Sequence, residues 1–204
     1  MEKASDHMSK KRKLLSKEDL YQFLIEDQKR FLKTGLPTIK DWLLHNEKWY
    51  IWQYIKALRY VEFYINNNKK SDVHFLYWWY RYKRYGLKTH ITIYPNTCEG
   101  GIYIPHIGDM IWVKSSTHIG KNVTLRPGVV IGKKDDEKAE DMPVVIGDNC
   151  NFGLGVRVFG KLVIGNNVTI GANSVVTKNL PDNAIAVGVP ARVIKLKTED
   201  EEKY

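Results

Sequence analysis

The chain has 204 residues, 43% of them hydrophobic, and a formal net charge of +9; this is room for one large domain, or for a compact repeat domain with a smaller helical one. Two cysteines exclude a disulfide framework and fit a reducing compartment. No run of about eighteen apolar residues is present to span a bilayer, and the first residues hold no apolar stretch of the secretory kind, so a cytoplasmic location is expected.

Residues 1–15 are polar and basic, with Lys10, Lys11, Arg12 and Lys13 in a row, and read as a disordered tail. Residues 16–88 read as an α-helical unit. Ser16 and Asp19 have capping-box spacing, and Leu20, Phe23, Leu24, Asp27 and Phe31 follow at helical intervals. Gly35 and Pro37 close that segment, and Thr38 is placed to cap a short second helix. A third helix runs through Ile51, Tyr54, Ile55, Leu58, Val61 and Ile65 until Asn66, Asn67 and Asn68 stop it. Residues 73–85 interleave aromatics with Arg and Lys. Such a segment can stack bases or rest on a membrane interface, but a helix with an aromatic packing face and a basic outer face accounts for it more simply. The expected partners therefore include no nucleic acid.

From residue 89 the period changes. Large aliphatic or aromatic residues fall every six positions at Ile107, Val113, Ile119, Leu125 and Ile131, then at Ile146, Phe152, Val158, Ile164, Ile170 and Val176. A second apolar or small residue follows each by four. Glycine recurs directly after the large residue, as at Gly120, Gly147, Gly153 and Gly171. A helix does not repeat every six residues, and simple strand alternation does not place glycine at a fixed phase. A triangular coil of short strands does both, with one large residue turned inward per side and glycine relieving the corners. Each coil buries its apolar face only against the next, so the array is stable as a stack. The fold class expected is mainly β, a parallel β-helix over residues 89–196 preceded by the helical unit, with 197–204 as a tail. The interval from Ile131 to Ile146 is fifteen residues, which marks 133–143 as a loop extruded from a corner. Long loops on rigid scaffolds often carry function.

The hexads, with GIYIPHIG (101–108), PVVIGDNCNFGLG (143–155) and VTIGANSVVTKNLPDNAIAVGVPARVI (168–194), resemble the serine acetyltransferase family of hexapeptide-repeat acyltransferases, and within it a branch associated with surface polysaccharides. The resemblance implies a left-handed coil and a homotrimer, with a dimer of trimers as the alternative assembly, and active sites between neighbouring prisms. It implies acetyl-CoA as co-substrate and no metal. His106 falls where the family places its general base. An imidazole, with an ordinary pKa near 6.5, suits removal of a hydroxyl proton during attack on a thioester. If Ile107 points inward, His106 points out of the prism; His118 shares that phase and is its rival. For acetyl-CoA the resemblance implies Gly153 and Leu154 at one turn, Gly171 and Ala172 at the next, and Lys178 and Arg192 near the phosphates. Repeat geometry alone also explains the glycines.

Two positions depart from the family pattern. The aspartate that orients the histidine there is here Thr92, and the residue before His106 is Pro105; Glu99 and Asp109 are the nearby candidate substitutes, between which spacing does not choose. The Arg-His pair that holds the serine carboxylate there is here Asp141 and Met142, before Pro143. An acidic residue repels a carboxylate, so the expected acceptor shifts to a sugar hydroxyl of a surface polysaccharide or its precursor, with peripheral contact to a membrane-linked substrate possible. Serine O-acetylation is the alternative. A zinc enzyme on this scaffold needs three converging histidines; His106 and His118 are the two within the repeats.

Overall fold

The computed structural model describes residues 12–31, 35–132 and 144–198. Among the described residues four helices precede the strands: α1 (Lys17–Phe31), α2 (Ile39–Leu43), α3 (Glu47–Asn66) and α4 (Val73–Thr89). The first begins as its sequence demands. Ser16 Oγ accepts from the Asp19 amide at 3.0 Å, while the Asp19 carboxylate accepts from the Ser16 amide at 2.9 Å. Leu20, Phe23, Leu24, Asp27 and Phe31 form its buried face, the five residues at helical spacing. Helix α4 is the aromatic-basic segment. It packs by stacking Trp78 on Tyr60 of α3, centroids 3.9 Å apart, and by burying Phe75 and Tyr82. Much of its aromatic surface stays exposed, including Tyr77 and Tyr80.

The described residues then form thirteen short strands, which make three faces of a prism. One sheet runs β1 (Ile91–Ile93), β2 (Ile111–Val113), β5 (Val130–Gly132), β8 (Arg157–Phe159), β11 (Val175–Val176), and a second β3 (Thr117–Ile119), β6 (Val144–Ile146), β9 (Leu162–Ile164). The third runs β4 (Thr124–Leu125), β7 (Asn151–Phe152), β10 (Thr169–Ile170), β12 (Ala184–Gly188), with β13 (Ala191–Leu196) added at its end. Every coil-to-coil pairing is parallel; only β12 and β13 pair antiparallel. The registers join Val113, Ile131, Val158 and Val176 on one face, Ile119, Ile146 and Ile164 on the next, and Leu125, Phe152 and Ile170 on the third. All are buried, as are the second set, Ile111, Thr117, Val123, Val129, Cys150, Val156, Leu162, Val168 and Ser174. The hexads thus form the left-handed β-helix expected of them.

One inward position differs. Ile107 is only partly buried, and the core residue of that side is Ile104, fully buried and level with Leu125. The step from Ile104 to Val113 is nine residues, so 105–110 form an enlarged corner, and Ile107 lies on that corner rather than in the core. The loop 133–143 lies outside the described residues; its flanks, β5 (Val130–Gly132) and β6 (Val144–Ile146), belong to different faces. Boundaries shift too. Within the expected tail 1–15, Leu14 is buried and Arg12 binds both Glu26 and Glu99. Lys197 donates from its amide to Asn183 O at 2.8 Å.

The helices close the lower end of the coil. Arg59 of α3 is wholly buried. Its guanidinium meets Asp27 of α1 at 2.8 Å and Glu62 at 3.0 Å, and donates to the carbonyls of Cys98 and Glu99 at 2.8 Å each. Asp27 in turn accepts from the amides of Gly101 and Ile102, and Glu62 from that of Asn96. Tyr54 accepts from Ile93 N, and Tyr82 donates to Ile93 O. Burial opposes the charge on Arg59, but Asp27 and Glu62 more than offset it and hold the guanidinium protonated beyond its ordinary range. Removing one member of a buried ion cluster strands the others. Arg59→Met is expected to lower the unfolding free energy by ~3–5 kcal/mol in denaturant titration; a loss under ~1 kcal/mol would show that the cluster is dispensable. Burial also pushes the thiols of Cys98 and Cys150 up to about 12. Native protein at pH 8 should therefore resist Ellman's reagent and release both thiols only on denaturation. Rapid native labelling of either cysteine would contradict that burial.

Candidate active site

The enlarged corner 105–110 carries His106, whose side chain is 70% exposed. Its Nδ1 lies 2.6 Å from Glu47 Oε1, and Glu47 Oε2 accepts from the Ile107 amide at 2.9 Å. An ionised carboxylate only accepts, so this contact places the imidazole proton on Nδ1 and leaves the Nε2 lone pair free. The two oxygens of one carboxylate thus hold both the ring and the backbone beside it. Outward exposure of His106 follows from the corner, not from an inward Ile107.

Glu47 is the first residue of α3, and local chemistry fixes it there. Asp41 accepts from the Thr38 amide at 2.7 Å, the Thr38 hydroxyl at 2.8 Å and the Asn46 side-chain amide at 2.8 Å, with Lys48 at 3.1 Å. Those bonds, the backbone hydrogen bond first, hold the Asp41 carboxyl well below its usual range. The turn closes through His45 in the left-handed region (φ 53°) and delivers Glu47 to the corner.

Neither carboxylate expected near His106 reaches it. Glu99 is buried and held by Arg12, whose amide and Nε donate to it. Asp109 accepts from Gly128 N through its backbone carbonyl. Thr92 lies on β1 and lines a separate groove of about 310 Å³ with Lys83, Leu87, His90 and Met110. Glu47 was missed because it sits 59 residues from His106, where spacing within the repeats carries no information. The one available signal was indirect: a histidine without its customary partner at Thr92 needed another. His118 lies on β3 within the second face, not on this corner.

Above His106 the corners stack. Gly128 N donates to Asp109 O, Gly155 N to Pro127 O and Asn173 N to Leu154 O, so 105–110, 126–128, 153–155 and 171–173 share one edge. Four of the residues expected at the cofactor, Gly153, Leu154, Gly171 and Ala172, therefore lie on the edge that begins at His106. A Cβ on Gly153 would come within 2.6 Å of Ala172 N, so glycine there is required by the approach of the next coil. Leu154 is exposed. Arg192 lies on β13 opposite Val187, the residue that a Cβ on Gly171 would strike, and so stands near the top of the same edge. Lys178 is exposed just past β11, at the corner where 133–143 also leaves. The structure does not bring it to the His106 edge. Among the described residues no cluster of three or more His, Cys, Asp or Glu is arranged to hold a metal, and no helix is long and apolar enough to cross a membrane.

Beside the pair a cleft of about 300 Å³ opens between helices and coil, lined by His45, Glu47, Tyr50, Lys88 and Ile107. His45 Nδ1 lies 2.7 Å from Tyr50 Oη, and Lys88 Nζ sits 5.0 Å from the Tyr50 ring centroid.

Comparison with known proteins agrees with this architecture. Residues 143–178 and 161–189 match the hexapeptide repeat of succinyl-transferase. Serine acetyltransferase of Staphylococcus aureus (strain Mu50 / ATCC 700699) is 37% identical over 108 residues, 52% of this chain and 50% of that protein. The Bacillus pumilus (strain SAFR-032) serine acetyltransferase is 33% identical over 106 residues, 52% and 48% respectively. The chain spans about half the length of the curated relatives it matches. Among solved structures, Neisseria gonorrhoeae serine acetyltransferase superposes with a TM-score of 0.70 at 23% identity, covering 90% of this chain and 69% of that one. Brucella abortus strain S19 serine acetyltransferase in complex with coenzyme A gives 0.68 at 20%, covering 89% and 70%. By repeat, register and overall fold, the chain has a hexapeptide-repeat β-helix architecture similar to that of the solved serine acetyltransferase structures.

Proposed function

We propose that the protein is an acetyl-CoA-dependent O-acetyltransferase, working as a homotrimer, with serine as acceptor. The observation that carries this reading is the Glu47–His106 pair at the foot of an edge of stacked turns. The names of the aligned relatives support serine over the sugar acceptor that the loop residues suggested. The exposed edge from His106 through Leu154 suits the narrow arm of coenzyme A, with Arg192 at its upper end for phosphate.

Acetyl-CoA supplies the acyl group as a thioester. Glu47 keeps the His106 proton on Nδ1 and orients the ring. Nε2 then takes the acceptor hydroxyl proton as that oxygen attacks the thioester carbonyl, and gives it to the departing thiolate. The products are an acetate ester and a thiol, with no net proton gained or lost by the imidazole. The carboxylate also stabilises the imidazolium formed between the two steps.

A second reading keeps the sugar hydroxyl. It rests on Asp141 and Met142 standing where an Arg-His pair holds serine's carboxylate in the resembling family, and on α4, whose exposed Leu76, Tyr80 and Leu87 accompany Lys83 and Arg84 and suit a lipid-linked acceptor. Thiol release with serine against a panel of sugars separates the two. Serine-dependent release is expected; release with sugars only would move the acceptor to the second reading.

His106→Ala should lower kcat at least ~100-fold with the oligomer, read by light scattering, unchanged. Near-normal turnover would remove His106 from the mechanism. Glu47→Gln tests the orienting role. An amide puts an NH2 donor where one of the two carboxylate oxygens stood, so one of the Nδ1–H and Ile107 N–H donors loses its acceptor at its present position. A fall in kcat of at least ~10-fold with little change in acceptor KM is expected, with partial recovery in Glu47→Asp. Wild-type kcat in Glu47→Gln would show the contact to be incidental.

A further inference from the structure

The cleft beside the catalytic pair has a charge pattern of its own. Glu47 forms its inner wall, but both carboxylate oxygens are engaged, one with His106 Nδ1 and one with Ile107 N. Across from it, Lys88 of α4 lies over the face of Tyr50 at 5.0 Å, and among the described residues no carboxylate pairs with it. An ammonium over a ring keeps its N–H donors available on the side away from the ring. Tyr50 is itself fixed by its hydrogen bond to His45, so the aromatic platform under Lys88 is held in place. One wall is thus a committed anion next to the base, and the other an uncommitted cation.

We infer that Lys88 is the anion anchor of the acceptor site: the acceptor is a hydroxyl compound bearing a carboxylate or phosphate, and Lys88 holds that group so that the hydroxyl is presented to His106 Nε2. This rests on the O-acetyltransferase reading above and deepens it. The anchor comes from the helical unit, not from the repeat scaffold. Serine, a uronic acid and a sugar phosphate share the required chemistry, and a neutral sugar lacks it. A charge-assisted hydrogen bond of this kind changes affinity about 10- to 100-fold.

The test compares matched acceptors that differ in one charge: L-serine against L-serinamide, glucuronate against glucose, and glucose 6-phosphate against glucose. Wild type should favour the anionic member of whichever pair it acetylates. Lys88→Gln should reduce that preference, expressed as the ratio of kcat/KM values, by about 10- to 100-fold through KM, and Lys88→Arg should preserve most of it. An unchanged ratio in Lys88→Gln overturns the inference and leaves the activity standing. A rise confined to the KM for acetyl-CoA also overturns it, because Lys88 would then serve the other substrate. If wild type releases thiol with no acceptor, the parent reading fails. Calorimetric titration of L-serine and glucose 6-phosphate into wild type and Lys88→Gln then decides Lys88 alone: equal affinities sink it, and weaker anion binding by the variant supports it.

Discussion

A parallel coil satisfies each strand's backbone with the coils above and below, and so leaves the first coil with a row of amides and carbonyls facing nothing. Here that row is met by a charged cluster inside the protein. Arg59 donates to the carbonyls of Cys98 and Glu99, Asp27 accepts from Gly101 and Ile102, and Glu62 accepts from Asn96. Burying three charges is expensive. Replacing them with apolar groups would leave those backbone groups unpaired, which costs as well. The cluster satisfies five main-chain groups of the terminal coil and neutralises much of its own charge, so it persists where a purely hydrophobic cap could not. Tyr54 and Tyr82 extend the same service to both backbone groups of Ile93.

That cap also sets the angle at which the helices meet the coil, and the Glu47–His106 geometry depends on the angle. Arg59 and Glu47 share α3 and stand twelve residues apart, or ~18 Å along a helix rising 1.5 Å per residue. A tilt of about 5° at the Arg59 end moves the far end by ~1.6 Å. The 2.6 Å contact between Glu47 and His106 does not survive such a displacement. A dispersive interface tolerates small rotations, whereas directional bonds from one guanidinium to two carboxylates and two carbonyls do not. The buried cluster therefore acts on the site at a distance, by fixing a rigid rod, and the Asp41 turn trims the rod's other end.

The prism was legible in the sequence because its constraint is local: each corner and each inward residue answers to a neighbour six positions away, and ten of the eleven large hexad residues lie in the core. The exception, Ile107, shows how periodicity misleads. The corner before β2 holds three extra residues, and Ile107 happens to precede Val113 by six, so an enlarged turn imitated a regular hexad. The same three residues carry His106 away from the wall and into reach of α3. The helical unit was legible as helices and silent as a partner. Nothing in the spacing of Glu47, Tyr50 or Lys88 says that they face the coil, since that depends on how Arg59 docks. The loop residues Asp141 and Met142 pulled the expected acceptor towards a sugar, whereas the aligned relatives are named serine acetyltransferases. A cation on α4 would reconcile the two, because a carboxylate needs a positive partner near the base and not any particular segment to supply it.

The three edges of the prism differ in a way that explains why the site lies where it does. One edge is closed by its own side chains: Asn122, Asn149, Asn167 and Asn183 all take left-handed backbone. Along it the amides of Lys121, Asp148 and Asn166 donate to the carboxylate or carboxamide one coil up, at Asp148, Asn166 and Asp182. Donors spent in that ladder are unavailable to a ligand. A second edge gives rise to 133–143. The third, above His106, turns on Gly128 and Gly155 at its lower coils and reaches a left-handed asparagine only at Asn173, and so keeps the surface of those lower coils low and their backbone approachable. The long, thin acyl donor proposed above would need such a track, with the proposed base at one end of it. The enlarged corner supplies that end at the first coil, next to the helices, because only there can a second structural unit reach in to orient the imidazole.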